Sequence, residues 1–187
     1  MDSAIDAPQP TGFDQLLLAE LDGLYRTAKY LTQNAALAED LVQETALKAL
    51  RSRHTFQPDR PFRPWVFAIL RNTLNDHYRR EGRRPRLQSL DSGDDDSSRL
   101  PEPLTLARPD DQIFHYVLDE EIELALQDLP ETMRFAVLMA DVEQLSYQEI
   151  AQLMEWPKGT VMSRLSRGRR KLREALSTYA QRRGYAQ

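Results

Sequence analysis

No stretch constrains this chain more than the thirty residues from Gly82 to Asp111, GRRPRLQSLDSGDDDSSRLPEPLTLARPDD. Its four prolines and two glycines break helix, and its apolar residues follow no period. A structureless segment this long is out of place inside a compact domain, so residues 82–111 read as a flexible linker. The 187-residue chain is thereby divided into two small domains, 13–81 and 112–187, behind a disordered N-terminus, 1–12. On both sides of the linker Leu, Ala, Glu, Gln and Arg dominate and β-branched residues are not concentrated anywhere. Glycine is scarce, with 7 residues in all. These preferences favour helix. The expected fold is all-α: two small helical domains, the C-terminal one a helix-turn-helix.

Composition removes several function classes. The chain has no cysteine, which excludes disulfides, Cys-ligated zinc and thiol catalysis and fits a reducing cytoplasm. Met1–Asp6 is acidic and lacks the basic and apolar regions of a signal peptide, and no apolar run approaches membrane-spanning length. The net charge of −4 argues against a nucleic-acid partner, but its distribution argues for one. Basic residues gather at Arg71, Arg79, Arg80, Arg83, Arg84 and Arg86, and again at Lys158, Arg164, Arg167, Arg169, Arg170, Lys171 and Arg173. Acids gather at Asp91, Asp94–Asp96 and Asp119–Glu123. Local charge, not net charge, decides where a polyanion docks.

In the first domain, Leu17, Leu21, Leu24, Ala28 and Leu31 recur at helical spacing and predict a helix from about Phe13 to Leu31. Asn34 caps a second helix, from about Ala35 to Ser52, with Ala38, Leu41, Val42, Thr45 and Ala49 facing inward. Its outer face carries Asp40, Gln43, Glu44, Leu47, Lys48 and Arg51; this is either an ordinary solvated face or a protein-docking surface around an exposed leucine. Pro64 opens a third helix that runs to about Arg80. Val66, Leu70, Thr73, Leu74 and His77 take its core side. Trp65, Ala68, Asn72, Asn75, Asp76 and Arg79 take the other. An aromatic that stacks on unpaired bases, amides that bond base edges, and arginines for the backbone are the chemistry of opened DNA. Packing of Trp65 against the first helix or the preceding loop is the equal alternative.

In the second domain, helices are predicted at about Val117–Leu129, Pro130–Val142, Ser146–Met154 and Thr160–Ala180. Ser146 and Glu149 form a capping box, and Trp156-Pro157-Lys158-Gly159 breaks the chain before Thr160 caps the last helix. That sequence has the plan of a helix-turn-helix. On the last helix Val161, Leu165, Gly168 and Leu172 share one face, with Gly168 permitting close approach. Ser163, Ser166, Arg167, Arg170 and Arg173 share the opposite one, flanked by Arg164 and Lys171 on one side and Arg169 on the other. Such a helix suits the DNA major groove, its N-terminal residues reading base edges and its other cations holding phosphates. His54 and His115 have no partners at ligand spacing, and Asp94–Asp96 has no preorganised cage, so neither metal nor cofactor is expected. No phosphate loop or nucleophile arrangement is present. An enzyme with a carboxylate metal site and a stand-alone regulator using only the helix-turn-helix are the competing classes.

The segments AEDLVQETALKAL, FRPWVFAILRNTLNDHYRR and LPETMRFAVLMADVEQLSYQEIAQLMEWPKGTVMSRLSRGRRKLREAL, in this order and spacing, resemble the bacterial RNA polymerase sigma factors of the small, two-domain extracytoplasmic-function class. The match covers about residues 13–80 and 112–178 and leaves no room for the added domains of housekeeping factors. The resemblance implies core RNA polymerase and promoter DNA as partners, and no covalent chemistry of the chain's own. It implies that Asp40, Gln43 and Glu44, with Leu47 and Lys48 beside them, dock on the clamp helices of the largest polymerase subunit. It also implies that the loop before Trp65, with Arg71, Asn72, Asn75, Arg79 and Arg80, melts and reads the −10 element, where the family captures a flipped base. Thr160, Ser163, Arg164 and Arg167 match the −35 recognition helix, with Lys158 and Arg170 as further contacts. The linker acids would mimic RNA phosphates in the polymerase cleft, and an anti-sigma protein, often membrane-anchored, is a common partner. Two departures stand out. Met162 lies where the family often has Lys or Arg, and a thymine methyl becomes its natural contact; Gly168 lies where the family often has Ala.

Overall fold

The computed structural model describes residues 12–82 and 120–182, and every regular element among them is helical. They fall into two compact units, divided between Arg83 and Arg84. Apart from Gly82, the predicted linker, with its acids and with Arg83, Arg84 and Arg86, lies outside the described residues, as do His115 and the start of the helix expected at Val117.

In the first unit, α1 (Gly12–Thr32) and α2 (Ala35–Arg51) are joined by a two-residue reversal. Gln33 takes the left-handed conformation at φ 56° and its N–H returns to the Lys29 carbonyl at 2.8 Å. Asn34 then caps α2 as its sequence predicts, its Oδ1 accepting from the Leu37 N–H at 3.1 Å. A single 3₁₀ turn (Arg53–Thr55) leads through the proline-rich loop to α3 (Phe62–Arg80), which begins two residues before Pro64. Pro64 still falls in the first turn, where its missing N–H has no intrahelical partner to lose. The core is Leu24, Ala28 and Leu31 of α1, Ala38, Leu41 and Ala49 of α2, and Val66, Phe67, Leu70 and Leu74 of α3. Helix α3 packs against both other helices, so it is buried around most of its circumference.

The second unit comprises α4 (Glu120–Gln127), α5 (Glu131–Val137), α6 (Tyr147–Met154), α7 (Lys158–Ala175) and a short α8 (Ser177–Arg182). Helix α5 does not continue to Val142 as a regular helix. Leu138–Val142 widens into a π turn, closed by the Glu143 N–H on the Leu138 carbonyl at 2.9 Å. One extra residue in the turn rotates the downstream chain by about 100° relative to an unbroken α-helix. Helix α7 likewise stops short of Ala180: Ser177 Oγ bonds the Glu174 carbonyl at 3.0 Å and competes with the helical ladder there. Phe135, Leu138, Met139, Ile150, Val161 and Leu165 form the core. Gly168 is the close-approach point, since a Cβ at that position would stand 3.0 Å from Val137 Cγ2.

Candidate nucleic-acid interface

The helix-turn-helix forms from local signals. The capping box is complete: Ser146 Oγ accepts from the Glu149 N–H at 3.3 Å and Glu149 Oε2 accepts from the Ser146 N–H at 2.8 Å. Helix α6 ends with Glu155 in the left-handed region at φ 57°. Pro157, extended at φ −57° and ψ 143°, then caps α7, and its carbonyl accepts from the Thr160 N–H at 2.9 Å. Thr160 is therefore not the cap. It stands in the first turn of α7, because Pro157 starts the helix three residues earlier than expected.

This start fixes one outward row on α7. Ser163 Oγ donates to the Thr160 carbonyl at 3.1 Å, and Arg167 lies back along the row, its Nε 3.3 Å from the Ser163 carbonyl and an Nη 3.4 Å from Ser163 Oγ. Thr160, Ser163 and Arg167 are half-buried, while Lys158 and Arg170 at the two ends are exposed. The opposite face, Val161, Leu165 and Gly168, is buried. Arg164 departs from the expectation. It is 4% exposed, and its guanidinium carbon lies 3.8 Å from the centroid of the buried Trp156 ring. A weakly hydrated, planar cation stacks on an indole more readily than the compact ammonium of lysine, so Arg164 closes the turn and is withdrawn from the exposed face.

Helix α3 revises three further expectations. Trp65 belongs to a cluster with Phe13, Phe56 and Phe62, its centroid 5.9, 5.5 and 5.5 Å from theirs. These are ordinary packing separations for aromatic rings. The packing alternative therefore describes Trp65: it ties the start of α1 to the loop before α3. Asn75 is 2% exposed, with no hydrogen-bond partner for either amide atom among the described residues, and faces the core. Arg71 is also buried and holds the neighbouring Asn72 Oδ1 through Nε at 3.2 Å and an Nη at 2.9 Å. Asn72 itself is exposed, as are Arg79 and Arg80.

The candidate docking face on α2 is joined to α3 by ion pairs, of which Lys48–Asp76 and Arg80–Glu44 cross between the helices and are not revealed by sequence spacing. Lys48 Nζ lies 3.0 Å from Glu44 and 3.1 Å from Asp76; Arg80 reaches Glu44 at 3.1 Å, and Arg79 reaches Asp76 at 3.5 Å. Burial pushes the Glu44 carboxyl up, but hydrogen bonds from Lys48 and Arg80 outweigh it and hold the group below its usual range. Asp40 and Gln43 are exposed beside it, and Leu47, 53% exposed, stands apolar in the middle of the face. Among the described residues no group of three or more His, Asp or Glu side chains is placed to hold a metal. No described helix is long and apolar enough to cross a membrane.

Comparison with known proteins adds to this geometry. Residues 16–84 match Sigma-70 region 2 and residues 119–172 match Sigma-70 region 4. The chain is 36% identical to the ECF RNA polymerase sigma factor SigE of Mycolicibacterium smegmatis, over 96% of its own length and 67% of that protein's. It is 30% identical to the RNA polymerase sigma-H factor of Pseudomonas aeruginosa, over 88% and 86%. The chain belongs to the ECF sigma factors of the sigma-70 family. Among solved structures it resembles the sigma factor RpoE of Bartonella quintana, determined in complex with the anti-sigma factor NepR. That likeness has a TM-score of 0.68 and 30% identity, and covers 88% of this chain and 96% of that one. CnrH, solved with the cytosolic domain of CnrY, shares the fold with a TM-score of 0.61 at 24% identity, over 89% and 88%.

A sigma factor is a promoter-recognising initiation factor that works with core RNA polymerase and promoter DNA, and this one divides its candidate residues unevenly. On α7 of the sigma factor, Thr160, Ser163, Arg167 and Arg170 share the outer side, Lys158 is exposed at the helix start, and Arg164 is buried. On α3, Asn72, Arg79 and Arg80 reach the surface and Trp65, Arg71 and Asn75 are withdrawn. Sequence reasoning missed Asp141 and Tyr147, which hold Arg169. The available signal was weak, because Asp141 sits in the π turn after α5, which breaks the helical periodicity, and Tyr147 lies beyond it.

Proposed function

We propose that this sigma factor docks on the clamp helices of the largest polymerase subunit through Asp40, Gln43, Glu44, Leu47 and Lys48 of α2. Helix α7 enters the −35 major groove with Thr160, Ser163 and Arg167 toward base edges and Lys158 and Arg170 toward phosphates. The first unit opens and reads the −10 element with Asn72, Arg79 and Arg80. The residues before and after the segment 82–111 carry these two activities, 13–81 for polymerase and −10 DNA and 112–187 for −35 DNA, so each weak contact raises the local concentration for the other. The chain acts through polymerase in the cytoplasm and performs no chemistry of its own. An anti-sigma protein holds it in reserve, by analogy with the RpoE–NepR complex.

The sorted surface of α7 carries this reading: one row of hydrogen-bonding and cationic groups lies opposite the buried Val161, Leu165 and Gly168, with Leu172 half-buried at the end of that row. A test combines the full chain with core polymerase and a promoter library. The expected result is specific initiation, with Glu44→Arg abolishing polymerase binding while helical content is kept. Tight binding to a free duplex operator without any polymerase binding would instead identify a stand-alone regulator.

A further inference from the structure

Arg169 is one of the cations that a helical wheel assigns to the flank of the DNA-facing side of α7. In the folded chain it faces protein. Its Nε donates to Asp141 Oδ2 at 3.1 Å, Nη2 donates to Asp141 Oδ1 at 2.5 Å, and Nη1 donates to the Tyr147 hydroxyl at 3.1 Å. The side chain is 16% exposed. All three nitrogens of the fork are engaged, two of them in a bidentate pair whose planar geometry a lysine cannot reproduce. Asp141 sits in the π turn and Tyr147 is the first residue of α6. One side chain therefore fastens α7 both to the segment that precedes the helix-turn-helix and to its first helix.

The apolar inner face of α7 fixes where the helix lies, but apolar contact is non-directional and resists rotation about the helix axis only weakly. A bidentate ion pair resists it strongly. A binding constellation has to be held within roughly 0.5 Å and 10–20° to read its target. Arg169 lies two residues beyond Arg167, so it restrains the same turn that carries the base-reading groups.

We propose that Arg169 is a positioning residue for promoter recognition: clamped by Asp141 and Tyr147, it sets the seating of α7 and so determines which base edges Ser163 and Arg167 reach, without touching DNA itself. The proposal rests on α7 being the −35 reader. Its signature is an inverted charge effect. Removing an acid ordinarily tightens binding to a polyanion, whereas removing Asp141 weakens recognition here because it releases the arginine.

The experiment uses holoenzyme assembled from the full chain and core polymerase. The probes are a promoter selected by the parent holoenzyme from a library randomised at −35, and the same promoter with its −35 element scrambled. The readouts are the affinity ratio between the two and the salt dependence of each. An unfolded fraction lowers both affinities alike and leaves the ratio unmoved, so a merely destabilising change does not mimic the effect. Asp141→Asn and Arg169→Gln are each expected to reduce the ratio about tenfold, with the salt slope unchanged and the double variant no worse than either single one. Arg169→Lys, which keeps charge and stem, is expected to lose the same discrimination, and it carries the test where Arg169→Gln fails to assemble.

Equal tightening on both probes by Asp141→Asn would overturn the proposal, as would a salt slope lowered by about one on Arg169→Gln, the mark of a lost phosphate contact. An unchanged ratio in these variants overturns it as well, provided Arg167→Ala still lowers the ratio. If Arg167→Ala also leaves the ratio unchanged, α7 is not the −35 reader and the proposal falls with that assignment.

Discussion

On α7 the row Thr160, Ser163 and Arg167 is turned outward and only Arg164 and Arg169 are absorbed by the protein; on α3, Trp65, Arg71 and Asn75 are absorbed, and Arg79 and Arg80 are tied to acids. The two helices are drawn from similar residues, and packing separates them. Helix α7 packs on α5 and on α6 yet buries only Val161, Arg164, Leu165 and Gly168, whereas α3, packed on α1 and α2, is buried around most of its circumference. A helix buried along one stripe can present a wide face, and a helix buried on most sides presents isolated groups between ion pairs. Duplex reading needs the first. Capturing a few unpaired bases needs only the second.

The largest expected effect tests whether each helix answers to its own core. Leu165→Ala removes a side chain 1% exposed and should cost about 2–5 kcal/mol. Hydrogen exchange resolved by peptide should show the loss in α5–α7 and leave α1–α3 protected; equal loss in both units would end the helix-by-helix comparison. Next comes the pair Arg164→Ala and Arg167→Ala. The first should lower stability by about 1–2 kcal/mol, through lost stacking and stem packing on Trp156. The second should stay within about 0.5 kcal/mol of the parent while weakening −35 DNA by about 1–3 kcal/mol. Thermal melts and promoter binding in which the two variants exchange phenotypes would place Arg164 outward after all.

Asn75→Leu replaces a buried amide that has no partner among the described residues by an apolar group of similar shape, and should stabilise the first unit by about 1 kcal/mol in denaturant titrations. A loss instead would show that the amide is satisfied in solution. Smallest is Glu44→Gln, at about 0.2–1 kcal/mol, because its partners are partly exposed. The folded-state carboxyl lies below the ordinary value of about 4.5. Its contribution is therefore complete above that pH and fades as the pH falls through the folded value, where parent and variant stability curves should converge.

Much of the fold was legible where a local signal sufficed. The cap at Asn34, the box of Ser146 and Glu149, and the inward faces of α1, α2 and α7 all follow from spacing and side-chain chemistry within one turn. The site was legible in outline and not in detail, because a helical wheel reports one helix at a time. Trp65 is claimed by Phe13, 52 positions away, and Arg169 by Asp141, 28 positions away; Asn75 is buried by neighbours whose placement only the assembled bundle decides. The start of α7 was misplaced for a different reason. Pro157, which stops one helix, also has the backbone angles to begin the next, so Lys158 and Gly159 belong to the helix and not to the turn.

Gly168 has one more consequence. With no side chain there, α7 rests directly on Val137 and Met133, and Val137 is the last residue before the π turn. A methyl group at this point would act as a shim under a lever pinned at Pro157, lifting the far end of the helix more than the near end. Arg170 would travel farthest and Lys158 least. The missing methyl is thus a dimension of the protein, the height at which the outer side of α7 stands above its own core.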